Sequence, residues 1–538
     1  MGHSVRMTET SDLSLGSFTD HGPWRIDPAA LDWADGLGEL RTAARAEVPV
    51  LMRRRRVPPL GRFLITGVRL TWALGAWWCT YRRRGGDESI AGLSRRLRQA
   101  FERLGTTYIK LGQIISSGQG LFPDPLVEEF KLLRDRVPAE PFATVRRVVE
   151  EELGRPLESV FATFEEQPVA AASIAQVHRA TLRSGEHVVV KVQRPQVQEL
   201  VRRDIAAMSW IAPLLIGRIP VTALANPPAL VEVFAETILE ELDFRLEAEN
   251  MLDIARVFAE TGQRIIVVPR PHPELVTRRL LVMERLDGFA FDDVAGVRDA
   301  GIDATAMLRG GLIAFLEGAL FYGVFHGDLH GGNLFIRPDG RIALLDYGMT
   351  GRLEEHNRLG FVRLLVGAGI NDVRAQLEAL RDLGALPADT DLRAVITDLG
   401  LDKPLTIADP NAMSADELVG ELQALIKALL GYGARLPKPL MLFVKNMLFL
   451  DGAIALHAPE MDLFAEVMSI SAYFTETHGE RLAADAGIDP DSLVVDLDSI
   501  KESLGLADDS LSYADLMERR QLIRQRVRSG ARRGKRAS

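Results

Sequence analysis

The sequence predicts an α+β fold with a small β-rich lobe, a mainly helical lobe, and further helices before and after them. Three observations indicate this fold class. Apolar residues recur every three or four positions over residues 88–150, the period of a helix that buries one face. Residues 160–195 are rich in valine and contain a Ser-Gly turn, which is typical of strands. Beyond residue 352 the pattern is again mostly helical.

Size and cysteine content limit the possible classes of protein. The chain has 538 residues, enough for roughly two to four domains, and its charged fraction of 26% is ordinary for a globular protein. Cys79 is the only cysteine. Disulfides within the chain and Cys-rich zinc sites are therefore excluded, and the composition fits a reducing cytoplasm.

Positive charge is concentrated in two segments, although the formal net charge is −10. Residues 49–86 contain nine arginines and no acidic residue, and residues 519–538 contain nine lysines or arginines and no acidic residue. Basic segments on an otherwise acidic chain can bind anionic lipid or nucleic acid. A solvated tail explains the C-terminal segment equally well.

Residues 63–81 form a hydrophobic segment about long enough to cross a bilayer. Arg69 and two glycines interrupt it, and arginine clusters flank both ends, so the positive-inside rule gives no orientation. Its tryptophans suit the lipid headgroup region. We therefore expect a helix that lies in or dips into the membrane interface. A packed core helix is the second interpretation, and a true membrane span is the third.

The remaining elements follow from periodicity and composition. Residues 1–25 are polar, which predicts disorder. Strands are expected at 160–182, 186–195, 264–272 and 278–288, and helices at 230–258 and 306–324. The second helix leads directly into "FHGDLHGGNLFI", residues 325–336, where the sequence carries the most chemical information.

This stretch and the following "IALLDYGMT" combine two short apolar runs with two acids and one amide. Asp328 lies in a loop that can aim its carboxylate at a hydroxyl group or a water, while Asn333 and Asp346 offer oxygen ligands for Mg²⁺. Asp-x-x-x-x-Asn followed by an Asp, an aromatic residue and Gly is the order found in protein kinases. Turn formation explains either half alone, but the two together favour a kinase-like site for Mg²⁺ and ATP.

A kinase-like site also needs a lysine for the nucleotide phosphates, and "HVVVKVQRP" supplies Lys191 on a valine-rich strand. Because the strand is apolar on both faces, an unpaired ammonium group there would be costly, so a partner is expected. Glu247 is the candidate partner. A helix inserted at residues 201–219 accounts for its long separation from Lys191.

The loop expected to cover the phosphates contains no glycine, because residues 170–178 read "AAASIAQVH". Alanine restricts positive φ, so we expect an altered grip on the nucleotide. A simple hairpin rim is the alternative. The candidate nucleotide contacts in this loop are Ala170, Ala171, Ala172, Ser173, Ile174, Ala175, Gln176 and Val177.

Four motifs resemble those of the UbiB, or aarF-domain, family of atypical protein-kinase-like proteins. They are "KLGQ" (110–113), "AAASIAQVHRA" (170–180), "ELDFRLEAEN" (241–250), and "HGDLHGGN" (326–333) together with "LDYG" (345–348). The resemblance spans about residues 90–350 and implies a two-lobed protein-kinase-like fold with an N-terminal helical extension and extra C-terminal helices.

The resemblance also implies roles for individual residues. Asp328 is similar to the catalytic-loop acid, Asn333 and Asp346 to the Mg²⁺ ligands, and Lys191 with Glu247 to the phosphate-contacting pair. The strand end with Met283, Glu284 and Leu286 is expected near the adenine of ATP. Lys110 and Gln113 match a family signature on a helix that covers the active site, and Glu241 and Asp243 match an acid pair close to that helix.

Six segments follow from these assignments. They are a polar, partly disordered N-terminus (1–48), a basic-flanked hydrophobic membrane-interface segment (49–87), the helical extension with the "KLGQ" motif (88–150), the kinase-like N-lobe (151–287), the kinase-like C-lobe (288–460), and C-terminal helices with the basic tail (461–538).

In the resembled family, the helical cover occupies the place of a protein substrate, so ATP hydrolysis or small-molecule and lipid-linked phosphorylation is expected. The implied role is in isoprenoid-quinone biosynthesis or membrane lipid homeostasis. Expected partners are anionic membrane lipid, isoprenoid or quinone intermediates and other quinone-biosynthesis enzymes, but not nucleic acid. The expected location is cytoplasmic, peripheral on the inner face of the cell membrane. A genuine protein or small-molecule kinase and a nucleotide-binding pseudokinase scaffold are the alternatives.

Overall fold

The structure, a computed structural model, divides the chain into two compact units. The first comprises Met1–Glu260, Val267–Asp287 and Ala343–Thr350, and the second comprises Thr261–Ile266, Gly288–Ile342 and Gly351–Ser538. The residues that the structure describes are 16–53, 59–82, 86–116, 123–133, 138–215, 227–369, 372–398, 432, 437–489 and 512–514. The basic tail at 519–538 lies outside them.

Helices make up most of the first unit. Seven of them contribute to one apolar core that includes Leu93, Phe130, Ile205 and Phe234. The helices of this unit are α1 (Leu37–Met52), α2 (Leu60–Thr80), α3 (Gly86–Leu104), α4 (Thr106–Ser116), α5 (Asp124–Phe130), α6 (Phe142–Leu153), α7 (Leu157–Val160), α8 (Val197–Leu215), α9 (Pro227–Glu240) and α10 (Phe244–Glu260).

The first unit also contains an antiparallel sheet of six strands in the order β1-β3-β4-β7-β6, with β2 paired to β3. Side chains alternate between the faces of a strand, so Val188, Val190 and Val192 of β4 are buried in one core while Lys191 faces the other way. The strands are β1 (Phe161–Phe164), β2 (Ala170–Ala171), β3 (Ala175–Leu182), β4 (His187–Gln193), β6 (Pro271–Val276) and β7 (Leu280–Glu284); β5 (Ile266–Val267) precedes β6 in the chain.

The second unit is mainly helical, with short strands around the predicted catalytic loop. Its helices are α11 (Val294–Asp299), α12 (Ala304–Glu317), α13 (Glu355–Gly369), α14 (Val373–Asp382), α15 (Leu392–Asp398), α16 (Lys438–His457) and α17 (Leu463–Ala486). Its strands include β8 (Phe289–Ala290), β9 (Val324–His326) and β10 (Leu334–Ile336), and β10 pairs antiparallel with β8. The chain passes between the two units at β11 (Ile342–Leu344) and β12 (Thr350–Arg352).

A π-turn at Gly318–Tyr322 ends the helix that leads into the catalytic loop. Gly323 follows in the left-handed conformation (φ 64°), and a Cβ atom there would lie 2.8 Å from the carbonyl oxygen of Leu353. Only glycine satisfies both conditions. The chain can therefore reverse and enter β9 directly before His326.

The α+β class with additional helices is confirmed, but the single helix expected at 230–258 is wrong. The chain breaks between α9 and α10 at residues 241–243. Asp243 causes the second helix to start afresh, because its side chain accepts a hydrogen bond from the backbone N–H of Arg245 (3.1 Å). The strand expected at 160–182 is likewise divided into β1, β2 and β3.

The disorder expected for residues 1–25 is wrong for residues 16–25. Phe18 is 1% exposed, and the guanidinium of Arg270 lies 4.8 Å from the centre of its ring. The backbone N–H of Ser17 donates to the carbonyl of Ala255 (2.8 Å). The contact between Phe18 and Arg270 therefore holds residues 16–25 against the rest of the first unit. Residues 1–15 lie outside the described part of the chain.

The hydrophobic segment at 63–81 lies within α2, which has two different faces. Thr66, Ala73 and Trp77 are buried, whereas Val68 and Trp72 are 66% and 53% exposed. The helix thus packs on one side and presents apolar side chains on the other. Among the described residues, two helices are long and apolar enough to cross a membrane, Ala304–Tyr322 and Leu440–His457, and α2 is not one of them. The first is 61% buried, as in a core helix, and the second is 28% buried.

Candidate active site

The first unit assembles a cluster of one ammonium group and two carboxylates. The break before α10 places Glu247 on the first turn of that helix, where its Oε1 lies 2.7 Å from Nζ of Lys191. Oδ1 of Asp346 lies 3.3 Å from the same nitrogen. The predicted partner of Lys191 is thus present. Glu247 is 3% exposed and Asp346 44%, so the second carboxylate is the one that solvent or a ligand can reach.

The electrostatics of this cluster follow from its excess of negative charge. Burial raises the pKa of Glu247 to about 7; the Lys191 ammonium opposes this shift, and the Asp346 carboxylate adds to it. The pKa of Lys191 is raised because the carboxylates of Asp346 and Glu247 outweigh its own burial. The lysine therefore stays charged at every physiological pH, while the carboxyl group of Glu247 titrates near neutrality.

Backbone contacts fix the residues that follow Asp346. The side-chain amide of Asn250 donates to the carbonyl of Tyr347 (2.9 Å), and the N–H of Gly348 donates to Oδ1 of Asp346 (3.0 Å). Tyr347, which stands where kinases usually have phenylalanine, is fully buried. Burial raises its pKa well above the usual value for a phenol, so it remains a neutral packing residue.

The "KLGQ" motif reaches this cluster through Lys110. Its Nζ lies 3.1 Å from Oε1 of Glu241, one of the two predicted acids at the break between α9 and α10. A Cβ atom on Gly348 would lie 3.4 Å from Cγ of Glu241, so the pair adjoins the segment that carries Asp346. Asp243 instead forms an ion pair with Arg245 (2.7 Å). Gln113 lies half-buried on α4.

The alanine-rich loop is anchored by Arg194 rather than left free. Arg194 donates from its backbone N–H to the carbonyl of Ile174 (2.8 Å) and from Nε to the carbonyl of Ala172 (3.0 Å). The side chains of Ser173, Ile174, Ala175 and Gln176 are buried. Ala170, Ala171, Ala172 and Val177 are more exposed. A loop held in this way has less freedom to wrap phosphates than a glycine-rich one.

The predicted adenine-edge residues Met283, Glu284 and Leu286 are all buried. The carboxylate of Glu284 accepts from the hydroxyl of Thr19 (2.5 Å) and from the backbone and guanidinium of Arg270 (3.2 and 3.3 Å). It is therefore committed to internal contacts. The contact of this strand end with an adenine stays a prediction.

The second unit holds the catalytic-loop motif in an ordered arrangement. The backbone N–H of Asp328 donates to Nδ1 of His326 (3.1 Å). The side-chain N–H of Asn333 donates to the carbonyl of Asp328 (3.2 Å), which leaves the Oδ1 atom of the amide as the group that can ligate a cation. Asn333 is 8% exposed. This geometry suits the role expected of it, which stays a prediction.

Two residues of α16 complete this loop and are missing from the sequence-based set. Lys445 forms an ion pair with the carboxylate of Asp328. Asn446 is 0% exposed; its Oδ1 accepts from the N–H of Leu329 (3.1 Å), and its amide donates to the carbonyl of His326. A lysine and an asparagine side by side in an otherwise apolar helix are the signal that could have revealed them, because such groups require partners.

Replacing Lys445 by Met should lower the ATP turnover that is proposed below by about ten- to 100-fold, the range seen when a supporting group behind a site residue is lost. The side chain keeps its length but no longer holds the Asp328 carboxylate. We expect kcat to fall with little change in KM for ATP, and Lys445→Arg to restore most of the activity. Steady-state kinetics measure both. An equal rise in KM with unchanged kcat would contradict a positioning role.

For the ATP turnover proposed below, kcat/KM should rise with pH through about 7, because Glu247 must lose its proton to pair fully with Lys191. A cation bound at Asp346 neutralises that carboxylate and so lowers the pKa of Glu247. The rising part (limb) of the pH profile should therefore lie at lower pH for kcat, which reports the complex, than for kcat/KM, which reports the free enzyme. Glu247→Gln imitates the protonated acid and should give low activity without this limb. Identical limbs for wild type and Glu247→Gln would refute the assignment.

Among the described residues, no group of three or more His, Cys, Asp or Glu side chains forms a ready-made metal cluster. Mg²⁺ in phosphate-binding sites commonly takes only one or two protein carboxylates, with substrate phosphates and water as the other ligands. Asp346, in the first unit, and Asn333, in the second unit, each provide a side-chain oxygen of the type that Mg²⁺ prefers.

Comparison with known proteins agrees with these motifs. Residues 132–380 match the family model of the ABC1 atypical kinase-like domain. An "Uncharacterized protein Rv0647c" of Mycobacterium tuberculosis is 35% identical over 71% of this chain and 78% of its own length. A "Probable protein kinase UbiB" of Pseudomonas aeruginosa is 33% identical over 69% of each chain.

Two further similarities are more partial. The chloroplastic "Protein ACTIVITY OF BC1 COMPLEX KINASE 1" of Arabidopsis thaliana is 36% identical over 61% of this chain and 49% of its own length. A solved structure of Rv3197 with erythromycin, from Mycobacterium tuberculosis, is 22% identical with a TM-score of 0.40, over 63% of this chain and 86% of that one.

Proposed function

Because this chain belongs to the UbiB, or ABC1 atypical kinase-like, family, we propose that it binds Mg²⁺-ATP and either hydrolyses it or transfers its γ-phosphoryl group. The observation that carries the proposal is the placement of Lys191 between a buried Glu247 at 2.7 Å and an accessible Asp346 at 3.3 Å. Protein kinases use the same arrangement for phosphoryl transfer. A strand lysine is held by a helix glutamate, and an acid two residues before a glycine lies beside them.

The net charge of the Lys191 cluster and the adjoining Lys110–Glu241 pair suits the binding of a divalent cation. Glu241, Glu247 and Asp346 outnumber Lys110 and Lys191 by one, and the excess acts in a partly desolvated place. A cation bound at Asp346 would relieve it. When bound, Mg²⁺ neutralises phosphate charge and orients the phosphates. Asp346 is the group of the first unit that would hold it; the role of Asn333, in the second unit, stays the prediction made from the family resemblance.

The chain's own residues then have separate tasks. Lys191 offers its ammonium protons to phosphate oxygens, and Glu247 keeps that ammonium in place. Asp328 orients a water or a hydroxyl group for attack, and its carboxylate is itself held by Lys445. Positioning and charge stabilisation supply most of the catalysis, since phosphoryl transfer needs little covalent work from the protein.

We favour hydrolysis or transfer to a small or lipid-linked acceptor over protein phosphorylation. The support comes from Lys110, whose ion pair with Glu241 ties the "KLGQ" helix to the segment of Asp346. A helix fixed there leaves little room for an extended peptide. The resemblance to the UbiB family implies work on isoprenoid quinones or membrane lipids, together with other enzymes of that biosynthesis.

The direct test is ATP hydrolysis by the full chain with and without Mg²⁺, and with and without anionic liposomes. We expect Mg²⁺-dependent turnover that increases with liposomes and falls in Lys110→Ala. Labelled γ-phosphate that moves to a cellular acceptor, unaffected by lipid, would favour the genuine kinase. Nucleotide binding without turnover, together with Asp328→Asn that changes nothing in cells, would favour the pseudokinase scaffold.

We also propose that the exposed face of α2 makes a peripheral contact with the inner face of the cell membrane. Leu64, Val68 and Trp72 are exposed there. Arginine side chains border the face: the guanidinium of Arg103 lies 5.4 Å from the ring of Trp72, and that of Arg82 lies 3.2 Å from the ring of Trp78. An apolar face with a cationic rim is complementary to anionic lipid.

Val68→Ser should therefore weaken binding to anionic vesicles several-fold, roughly the effect of removing one apolar side chain from the interface. Val169→Ser is the matched control, because Val169 is also exposed (48%) but lies outside α2. Vesicle co-sedimentation at low and high salt measures the difference. Equal losses in both variants would exclude α2 as the contact.

A further inference from the structure

Helices of the first unit line a partly open apolar cavity of about 130 Å³. It lies among α2, α3, α4, α5, α8 and α9, and its walls include Leu74, Leu97, Phe101, Leu111 and Ala212. All the lining residues belong to the first unit. The cavity is separate from the Lys191 cluster, although α4 contributes both to its wall and, through Lys110, to that cluster.

An apolar cavity of this size is unusual in a folded protein. Interiors are packed as densely as organic crystals, and unfilled cavities destabilise a protein in proportion to their volume. An engineered cavity of about 150 Å³, lined by similar residues, stays dry and binds benzene. A core that keeps such a space among large aliphatic and aromatic side chains is therefore suited to hold an apolar group.

The chemistry of the wall restricts the ligand. Its two polar side chains, Thr66 and Tyr108, hydrogen-bond to each other through their hydroxyls (2.7 Å). Burial raises the pKa of Tyr108, so no charge develops there. The remaining wall consists of hydrocarbon, apart from the sulfur of Met208. A ligand with a polar or charged end inside the cavity would lose hydration without gaining partners.

We propose that this cavity binds the end of a hydrocarbon chain of a membrane lipid. α2 supplies the link: it lines the cavity with Leu70 and Leu74 and exposes Leu64, Val68 and Trp72 on its other side. A chain that leaves the bilayer beneath this helix needs to pass only one helix to reach the cavity. This inference rests on the membrane contact proposed above, but it can be tested without membranes.

The test is binding of cis-parinaric acid, a fluorescent fatty acid, to the full chain in vesicle-free buffer. We expect saturable binding to one site. Ala212→Phe places a ring of benzene size in the cavity and should weaken binding by about tenfold or more. Val169→Phe adds the same ring to an exposed position outside α2 (Val169 is 48% exposed) and should leave binding unchanged. Competition by oleic acid or by farnesol distinguishes an acyl from a prenyl chain.

Leu74→Ala provides a second variant, because it enlarges the cavity instead of filling it and should retain the probe. Retained binding in Ala212→Phe, or loss in Val169→Phe alone, would overturn the assignment. Saturable probe binding by a wild-type chain that hydrolyses no ATP would support the cavity and count against the proposed function. ATP turnover without any probe binding would support the proposed function and overturn the cavity assignment.

Discussion

Asp346→Asn is expected to lower Mg²⁺-dependent ATP turnover by more than about 100-fold, beyond the losses typical of residues that only support a metal ligand. Asn keeps the size of the side chain but gives up the charge that a divalent cation requires at this position. Because Asp346 is 44% exposed and follows a buried strand, the fold should survive the change. A loss of ATP turnover in this variant can therefore be distinguished from a loss of folding stability.

The measurement is ATP hydrolysis over a range of Mg²⁺ concentrations, with thermal unfolding as the check on folding. Asp389→Asn is the control, since Asp389 is exposed and belongs to the second unit. Removing the Asp346 charge also lowers the pKa of Glu247, so Lys191 should keep its partner in the variant. A variant that hydrolyses ATP as fast as wild type with the same Mg²⁺ dependence would refute the metal assignment.

The central pair of the site could be predicted from sequence because each residue violates the pattern around it. A lysine in a valine strand needs a buried acid, and Glu247 supplies that acid at 2.7 Å. The fold class followed in the same way from the change of period between helix and strand. In both cases, local chemistry and three-dimensional structure point in the same direction.

Other features depend on contacts between residues far apart in sequence. Lys445 meets Asp328 across 117 residues, and no local pattern specifies that distance. The burial of Phe18 depends on Arg270, which belongs to a strand region much later in the chain. The break at Asp243 was hidden because apolar periodicity continues across it, although one side-chain hydrogen bond is enough to restart the helix.

Lys191→Met should abolish turnover and also destabilise the fold, because it leaves Glu247 buried at 3% exposure beside a second carboxylate. Losing one partner of a buried ion pair commonly costs about 3–5 kcal/mol. Here the acid can escape part of that cost by taking up a proton, since its pKa already lies at about 7 in the presence of the lysine and rises further without it.

The sign of the pH dependence follows from this proton uptake. A folded-state pKa above the unfolded value means that the native protein binds more protons than the unfolded chain, so stability falls as pH rises between the two. The deficit of Lys191→Met relative to wild type should be small below the ordinary pKa of Glu and grow as pH rises above about 7. Urea unfolding at several pH values measures it.

Two further variants decide whether the buried pair is responsible. Lys131→Met removes a lysine that pairs with Glu128 at the surface (2.8 Å, 47% exposed) and should change stability by less than about 1 kcal/mol at every pH. Lys191→Met combined with Glu247→Leu removes both buried charges and should regain stability without regaining turnover. If the single variant were as stable as wild type at alkaline pH, Glu247 would not depend on Lys191, and the lysine would act on the nucleotide alone.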